Sequence, residues 1–259
     1  MADFLDTLAK TAKKTINSSY YKEISQSRRI NVSLKQKIID EKRAPIIAEI
    51  KSASPSAGII RKEFNPKKIA KSMENGGAIA ISVLTEPKHF RGSLDFLAKT
   101  RNAVKIPILM KDIILNPLQL EAALNIGANG VLFIQALFDR GYCELDLDKM
   151  VNIAHSKGLE VLLETHNKKE FNNALDSSAD LIGVNNRDLS SLKVNLNVTK
   201  KILKNFSSKD KIVVSESGMN TPTDVSFLHK CGANAFLIGS SIMKSNNIEK
   251  KVKEFVFAI

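Results

Sequence analysis

The stretch Gly127-Ala128-Asn129-Gly130-Val131-Leu132-Phe133-Ile134 places a small-residue turn directly before a short apolar run. A glycine after a helix supplies the left-handed conformation that ends it, and the polar residue then leads into a buried strand. The arrangement occurs four times, and successive copies are 50, 51 and 54 residues apart. The other copies are Gly77-Ala78 before residues 79–84, Ser178-Ala179-Asp180 before 181–184, and Gly232-Ala233-Asn234 before 235–238.

Four further apolar runs lie between these copies, so the sequence predicts eight strands, with room for one helix after each. These runs are residues 45–50, 106–110, 159–163 and 212–214. The pairs Asn65-Pro66, Asn116-Pro117 and Thr221-Pro222 fit helix starts, because each places a capping side chain before a proline in the first turn. Strands that alternate with helices favour a parallel sheet.

Eight near-equal units in 259 residues favour closure of that sheet into a (β/α)8 TIM barrel of the α/β class. The alternative is an open doubly wound sheet. That fold would be expected to have a glycine-rich, dinucleotide-binding turn after its first strand, and the sequence has none there. We predict a single domain, with an N-terminal helical extension over residues 1–44 and the barrel over residues 45–259.

The extension itself is predicted to contain two helices. The first is amphipathic and lies over the barrel, because its apolar residues recur at helical spacing and Lys10, Lys13 and Lys14 fall off that stripe. The stripe consists of Phe4, Leu5, Leu8, Ala12 and Ile16. A second, short helix is expected to start from Ser33, with Leu34, Ile38 and Ile39 as its apolar residues.

Composition narrows the class of protein. With 43% apolar and 25% charged residues the chain is an ordinary globular protein, which excludes disorder. It has no apolar run near the roughly 20 residues that span a bilayer and no signal-peptide core, so we expect no membrane association. Cys143 and Cys231 are far apart and form neither a disulfide framework nor a zinc spacing, which favours the cytoplasm.

The formal charge of +12 is concentrated near the N-terminus. Residues 1–72 hold 16 Lys and Arg against 7 Asp and Glu, whereas residues 73–259 hold 23 against 20. A basic segment of this kind occurs in nucleic-acid-binding modules, but a lysine-rich solvated surface is the simpler interpretation. The chain has no Trp, so platforms on which bases could stack are poorly supplied. We expect no nucleic-acid partner.

Charged residues end the odd-numbered predicted strands, although strands buried on both faces should read apolar throughout. With a period of two, Glu49 and Lys51 share a face with Ile47, Lys111 shares one with Leu109, and Glu164 shares one with Leu162. The seventh strand ends in Ser215-Glu216-Ser217-Gly218. If these faces point into the barrel, two lysines and two glutamates converge at the C-terminal mouth, where barrel enzymes keep their sites.

Burial at such a mouth would change the acidity of these groups. We expect a second lysine and partial desolvation to help Lys111 lose its proton, which suits a general acid. We expect a glutamate in a dry mouth to have a raised pKa and to serve as a base.

Other loops supply candidate binding residues. Asn185 and Arg187 lie on one face after the sixth strand and offer directed donors, whereas Asn186 and Asp188 are interpreted as loop caps. Phosphate is expected at the ends of the last two strands, at Ser217, Gly218, Gly239 and Ser240. The long loop after the first strand, with Ser54, and the loop with Phe90 are expected to wall the site. No histidine sits in a ligand spacing, so we predict no metal.

These residues resemble the indole-3-glycerol-phosphate synthases, a family of barrel enzymes of tryptophan biosynthesis. The resemblance covers the whole chain, from the extension to the last helix. It rests on Ile46-Ile47-Ala48-Glu49-Ile50-Lys51 with Ser54-Pro55-Ser56, Leu109-Met110-Lys111-Asp112, Leu162-Leu163-Glu164, Gly183-Val184-Asn185-Asn186-Arg187-Asp188-Leu189, Glu216-Ser217-Gly218 and Phe236-Leu237-Ile238-Gly239-Ser240. The sequence departs from the family pattern at Ser52 and Ile113, where a basic and an aromatic residue are common.

The resemblance implies conversion of 1-(2-carboxyphenylamino)-1-deoxyribulose 5-phosphate to indole-3-glycerol phosphate, with loss of carbon dioxide and water. It implies that Lys111 is the general acid of ring closure, Glu164 the base of dehydration, Lys51 a second acid, and Glu49 the residue that orients the lysines. Ser54, Asn185 and Arg187 would position the substrate, and the phosphate would lie at the residues named above. The family uses no cofactor or metal.

Two alternatives stay open on the sequence. Phosphoribosylanthranilate isomerase is a phosphate-binding barrel of the same pathway, but it lacks the basic extension and the two lysines at the mouth. A basic nucleic-acid-interacting module would use the N-terminal stretch. We expect the chain to be a monomer that binds a small phosphorylated molecule.

Overall fold

The computed structural model describes residues 3–22, 27, 29–54, 58–61, 63–206 and 211–259. Eight parallel strands close into a barrel, and each is paired with the barrel strands before and after it in the chain, the first also with the last. The barrel strands are β1 (Ile46–Ile50), β4 (Ala80–Leu84), β5 (Ile108–Lys111), β6 (Gly130–Ile134), β7 (Glu160–Thr165), β8 (Leu181–Asn185), β9 (Ile212–Glu216) and β10 (Ala235–Ile238). The (β/α)8 TIM barrel and all eight predicted strands are therefore confirmed.

Two short strands, β2 (Ala53–Ser54) and β3 (Gly58–Ile59), pair antiparallel in the loop after β1. The helices are α1 (Phe4–Ile16), α2 (Leu34–Asp40), α3 (Pro66–Asn75), α4 (Leu94–Arg101), α5 (Pro117–Asn125), α6 (Gln135–Asp139), α7 (Leu147–Ser156), α8 (Lys168–Leu175), α9 (Asn197–Leu203), α10 (Pro222–Lys230), α11 (Ser240–Met243) and α12 (Ile248–Val256). Among the described residues, none of these helices has the length and apolar character to cross a membrane.

The predicted helix starts are confirmed at three positions. Asn65, Asn116 and Thr221 each accept a hydrogen bond from a backbone N–H of the first turn, and a proline follows each. The side chain thus satisfies one of the N–H groups that the first turn leaves without a helical partner. Such caps fix where each helix begins after its strand, and therefore how long the loops at the mouth are.

The strand residues divide into two apolar layers because successive side chains point to opposite faces. Ile47, Leu109, Leu162 and Val214 pack together inside the barrel. Their neighbours along the strands pack outward against the helices. Residues two positions further along the first set of strands must then point into the barrel at its C-terminal mouth, which is the geometry that positions the site.

The extension covers both ends of the barrel. α1 buries Leu5 and Leu8 in the same apolar cluster as the barrel interior, at the mouth. α2 lies at the opposite end, where the backbone N–H of Leu34 donates to Glu160 at the start of β7, 2.6 Å away. The prediction that Ile39 belongs to the packed apolar face of α2 is wrong, because Ile39 is 58% exposed. Consecutive helical residues point in different directions, and it is the preceding residue that faces the barrel.

Candidate active site

A cavity of about 560 Å³ opens at the C-terminal mouth of the barrel. Eleven of the twelve residues that the sequence singles out line it: Glu49, Lys51, Phe90, Lys111, Glu164, Asn185, Arg187, Ser217, Gly218, Gly239 and Ser240. The twelfth, Ser54, belongs to β2, but its side chain lies outside the described part of the structure. Phe4 and Leu8 of α1 also line the cavity. The convergence that the strand ends predict is therefore present.

Lys111 stands between two carboxylates. Its Nζ lies 3.0 Å from Glu164 Oε2 and 3.3 Å from Glu216 Oε2. Lys111 and Glu216 end β5 and β9, and Glu164 is the last residue but one of β7. These three strands alternate with others around the barrel. The lysine side chain is 18% exposed, whereas those of Glu164 and Glu216 are 3% and 1% exposed. The ammonium therefore faces the cavity and the carboxylates lie behind it.

The charges around Lys111 overturn the expected acidity. Burial opposes the ammonium, but Glu164, Glu216 and Glu49 outweigh it and raise the pKa of Lys111 above its usual value. The expectation that a second lysine makes Lys111 lose its proton more readily is wrong, because carboxylates and not Lys51 are its close partners. The raised pKa makes Lys111 a protonated acid at neutral pH.

The two glutamates beside Lys111 differ. Burial would raise the pKa of Glu164, but Lys111 and His166 outweigh burial and lower it. The expected raised pKa is therefore wrong for Glu164, which is held as a carboxylate. Burial and the neighbouring Glu164 charge instead raise the pKa of Glu216, despite Lys111. The pair thus divides into one charged carboxylate and one whose charge is suppressed.

Glu49 and Lys51 form a second ion pair, with Lys51 Nζ 2.5 Å from Glu49 Oε1. Gly239, at the end of β10, makes room for this pair. A Cβ atom at position 239 would lie 2.3 Å from Glu49 Oε1 and 2.9 Å from Lys51 Nζ. A side chain at position 239 would therefore displace the ends of these two charged side chains.

Glu216 also lines the cavity, although the sequence analysis did not predict it as a site residue. The signal was available, because Glu216 follows Val214 by two positions, just as Glu164 follows Leu162. Its side chain is accommodated by Gly183 on β8, where a Cβ atom would lie 2.3 Å from Glu216 Oε1. That oxygen is buried and has no hydrogen-bond partner among the described residues.

The polar residues after β8 fall into two groups. Asn185 and Arg187 line the cavity, whereas Asn186 and Asp188 bond to the backbone of nearby loops. Asn185 Oδ1 accepts the backbone N–H of Arg187 at 3.0 Å, and an Arg187 Nη1 donates to the carbonyl of Leu192 at 2.8 Å. Asn186 is buried and donates to the backbone carbonyl of Glu216 at 3.0 Å. Asp188 accepts backbone N–H groups of its own loop. The last two are structural, as expected.

Phe90 is placed by a buried carboxylate. Glu86 accepts the backbone N–H groups of Lys88, His89 and Phe90, at 2.7–2.9 Å, which folds the loop after β4 around one side chain. The His89 ring packs edge-on against Phe4 of α1. The wall expected from this loop therefore joins the helix that covers the mouth.

The loops after β9 and β10 form the side of the cavity where phosphate is expected. Ser217 has φ +67° and Gly218 has φ +94°. A serine in the left-handed region is strained, and such strain concentrates at functional sites. Ser241 anchors the second loop to the first by donating to the Met219 carbonyl at 2.8 Å. Lys244 adds a cation to the lining.

Solved structures share this fold at low sequence identity. Thiamine phosphate pyrophosphorylase from Pyrococcus furiosus superposes with a TM-score of 0.61 at 16% identity, covering 86% of this chain and 96% of that one. N-acetylmannosamine-6-phosphate 2-epimerase from Clostridium perfringens gives 0.61 at 14% identity, covering 84% and 93%. At such identities the likeness shows the barrel fold alone.

Sequence relatives are much closer. The indole-3-glycerol phosphate synthase of Methanocaldococcus jannaschii is 44% identical over 237 residues, 90% of this chain and 86% of the relative. That of Caldanaerobacter subterraneus is 42% identical over 221 residues, 84% and 82%. The family model for indole-3-glycerol phosphate synthase matches residues 5–255. With the two ion pairs at the barrel mouth, these matches show that the chain belongs to the indole-3-glycerol phosphate synthase family.

Proposed function

We propose that this chain is an indole-3-glycerol phosphate synthase that closes the indole ring of 1-(2-carboxyphenylamino)-1-deoxyribulose 5-phosphate. The products are indole-3-glycerol phosphate, carbon dioxide and water. The observation that carries the proposal is the Lys111–Glu164 pair at the cavity wall, 3.0 Å apart, because it supplies a protonated acid and an ionised base at one point.

Ring closure needs an acid at the ribulose carbonyl. The ring carbon that bears the carboxylate attacks this carbonyl, and Lys111 donates a proton to its oxygen as the new carbon–carbon bond forms. Loss of carbon dioxide then returns the bonding electrons to the ring. The raised pKa of Lys111 keeps the acid protonated until the substrate reaches it.

Dehydration needs a base and a second acid. Once Lys111 has given up its proton, Glu164 has lost the cation at its Oε2, so it binds a proton more strongly. Glu164 then removes a substrate proton while Lys51 protonates the departing hydroxyl, which leaves as water. Glu49 orients Lys51 through their 2.5 Å contact and takes part in returning protons. Glu216, the second partner of Lys111, holds the ammonium in place.

The other residues that line the cavity are proposed to bind the substrate. Asn185 and Arg187 offer donors to the carboxylate and the ribulose hydroxyls, and Phe90 and Leu8 offer apolar surface to the ring. Ser217, Gly218, Gly239 and Ser240 hold the phosphate, with Ser54 in the loop after β1 as a further contact. No group of three His, Cys, Asp or Glu able to hold a metal lies among the described residues.

The domain organisation, oligomeric state and cellular compartment of the enzyme are also proposals. We infer one domain, in which the extension works with the barrel, because Phe4 and Leu8 form part of the cavity wall. We infer a cytoplasmic monomer that acts on a small phosphorylated molecule and binds no nucleic acid. Cys143 and Cys231 are both free thiols, which fits a compartment where thiols stay reduced.

The function is tested by an ultraviolet assay of the purified chain with two substrates. The carboxyphenylamino sugar phosphate should give the indole absorbance, and phosphoribosylanthranilate should remain unchanged. Conversion of phosphoribosylanthranilate without formation of indole would instead identify the isomerase. A salt titration of binding to duplex and single-stranded DNA tests the nucleic-acid alternative, which predicts steeply salt-dependent binding.

A further inference from the structure

His166 lies directly behind the proposed base. It follows Glu164 by two residues, just after the end of β7, and its side chain is only 8% exposed. Its Nε2 lies 3.2 Å from Glu164 Oε1, whereas Lys111 lies beside Glu164 Oε2. Each oxygen of the Glu164 carboxylate therefore faces a different cationic side chain, one toward the cavity and one toward the protein.

The imidazole of His166 is held from its other side by Glu170 in the first turn of α8. Glu170 Oε2 lies 3.3 Å from His166 Nδ1 and accepts the backbone N–H of His166 at 2.8 Å. Asn167 fixes the other oxygen of Glu170, at 2.6 Å. Both ring nitrogens thus lie within ion-pair distance of carboxylate oxygens, and Nδ1 also meets the geometry of a hydrogen bond, which Nε2 does not. A carboxylate beside each nitrogen suits an imidazolium, since only that form carries a proton on each nitrogen.

The charged form also prevails energetically. Burial disfavours the imidazolium, but Glu164 and Glu170 outweigh burial and raise the pKa of His166 to about 9. The titratable groups that face Glu164 are then Lys111 from β5, Glu216 from β9 and His166. At neutral pH His166 is a permanent cation in this set, whereas Lys111 is the group proposed to give up its proton.

We propose that His166 is a positioning residue for ring closure and dehydration, whose imidazolium keeps the Glu164 carboxylate ionised and aimed at Lys111. This inference rests on the proposed function. His166 acts through Glu164, because it is not among the residues that line the cavity. It is the cation that remains beside Glu164 after Lys111 has protonated the substrate, so it limits how tightly Glu164 holds the proton that it then removes.

The test is the pH profile of kcat for His166→Gln. Glutamine keeps a hydrogen-bonding amide but carries no charge, so Glu164 should take up a proton at higher pH. We expect the acid limb of kcat to move up by about one pH unit, which lowers kcat roughly tenfold on that limb. KM should stay within about threefold, and kcat should approach the wild-type value as the pH rises.

A matched control is His155→Gln. His155 Nε2 pairs with Asp180 Oδ2 at 2.9 Å, near the opposite end of β7, far from the mouth. The His155→Gln variant also removes an imidazole that is paired with a carboxylate, and it should leave the pH profile of kcat unchanged. If the wild type is active, two results for His166→Gln overturn the inference. One is an acid limb at the wild-type pH, and the other is a loss of kcat that is equal at every pH. A wild type that forms no indole overturns the proposed function itself.

A titration of the wild-type imidazoles by NMR keeps the inference testable if His166→Gln does not fold. With the resonances assigned through the backbone, His166 should remain protonated at pH 8, when exposed histidines are neutral. Titration of His166 near pH 6.5 would show that it is not the cation beside Glu164, and would overturn the inference without any assay of activity.

Discussion

Lys111 Nζ and Glu164 Oε2 lie 3.0 Å apart at the mouth of the barrel. The proposed acid and the proposed base are thus stored as an ion pair, each in the protonation state that its step requires. Such pairing makes Lys111 a weak acid and Glu164 a weak base while both remain charged. Proton transfer by one then strengthens the other, which gives the two steps an order.

Replacement of Lys111 by alanine should lower kcat by roughly 10²–10⁴, the usual contribution of a positioned acid, with a smaller effect on KM. Steady-state kinetics by the ultraviolet assay measure this. Lys149→Ala is the matched control, since Lys149 is ion-paired to Asp146 at 2.7 Å but exposed on α7. Near-normal turnover of Lys111→Ala would remove this lysine from the mechanism.

Gly183→Ala should displace Glu216, because the added Cβ would lie 2.3 Å from Glu216 Oε1. A shift of about 1 Å in a catalytic group can cost roughly 10² in rate, so we expect a loss of kcat of that order. A double-mutant cycle with Glu216→Gln checks the cause. If the glycine acts through Glu216, the double variant should lose little more than either single variant, whereas additive losses would contradict this account.

Phosphate or sulfate should stabilise the protein, by about 2.7 kcal/mol when the anion is at 100 times its Kd. Thermal unfolding in increasing sulfate measures the effect. Ser240→Asp, which places a negative charge in the expected phosphate site, should abolish it, whereas Ser156→Asp at the end of α7 should not. Equal stabilisation of all three proteins would place the anion elsewhere. Gly239 is unsuitable for this test, because any side chain there collides with Glu49.

The sequence predicted most of this architecture for identifiable reasons. Strand phase is a local property, so the alternation from Ile47 to Glu49 and from Leu162 to Glu164 predicted which side chains reach the mouth. Capping at Asn65 is likewise local. The pairing of Lys111 with Glu164 and Glu216 depends on distances across the closed barrel, which no single strand contains, and for that reason the expected acidities of Lys111 and Glu164 were wrong.

Removal of residues 1–17 should raise KM and lower the melting temperature together. α1 buries Leu5 and Leu8, each worth roughly 1.5–3 kcal/mol, and Arg140 forms an ion pair at 2.8 Å with Asp3, which caps the helix. This truncation leaves α2 in place at the other end of the barrel. Lys14→Glu, on the exposed side of α1, should leave the kinetics unchanged at moderate salt. A truncated barrel with wild-type KM would show that α1 takes no part in the site.

The free energy of unfolding should depend on pH through His166. Its pKa is raised from 6.5 to about 9 in the folded protein, so its charge stabilises the fold fully below pH 6.5 and loses this effect as the pH rises through 9. Denaturant unfolding of wild type and His166→Gln should therefore differ most at pH 6 and least at pH 10, with a change in the difference of about 3 kcal/mol. A difference that does not vary with pH would contradict the buried charge.

The ratio of carbon dioxide to indole-3-glycerol phosphate tests directly whether this enzyme couples ring closure to decarboxylation. The carboxyphenylamino sugar phosphate, labelled with ¹³C in its carboxyl group, is incubated with the enzyme, and both products are followed by NMR. We expect one labelled carbon dioxide for each indole-3-glycerol phosphate, and loss of both together in Lys111→Ala. Release of carbon dioxide without indole, or a wild-type product that keeps the label, would contradict this expectation.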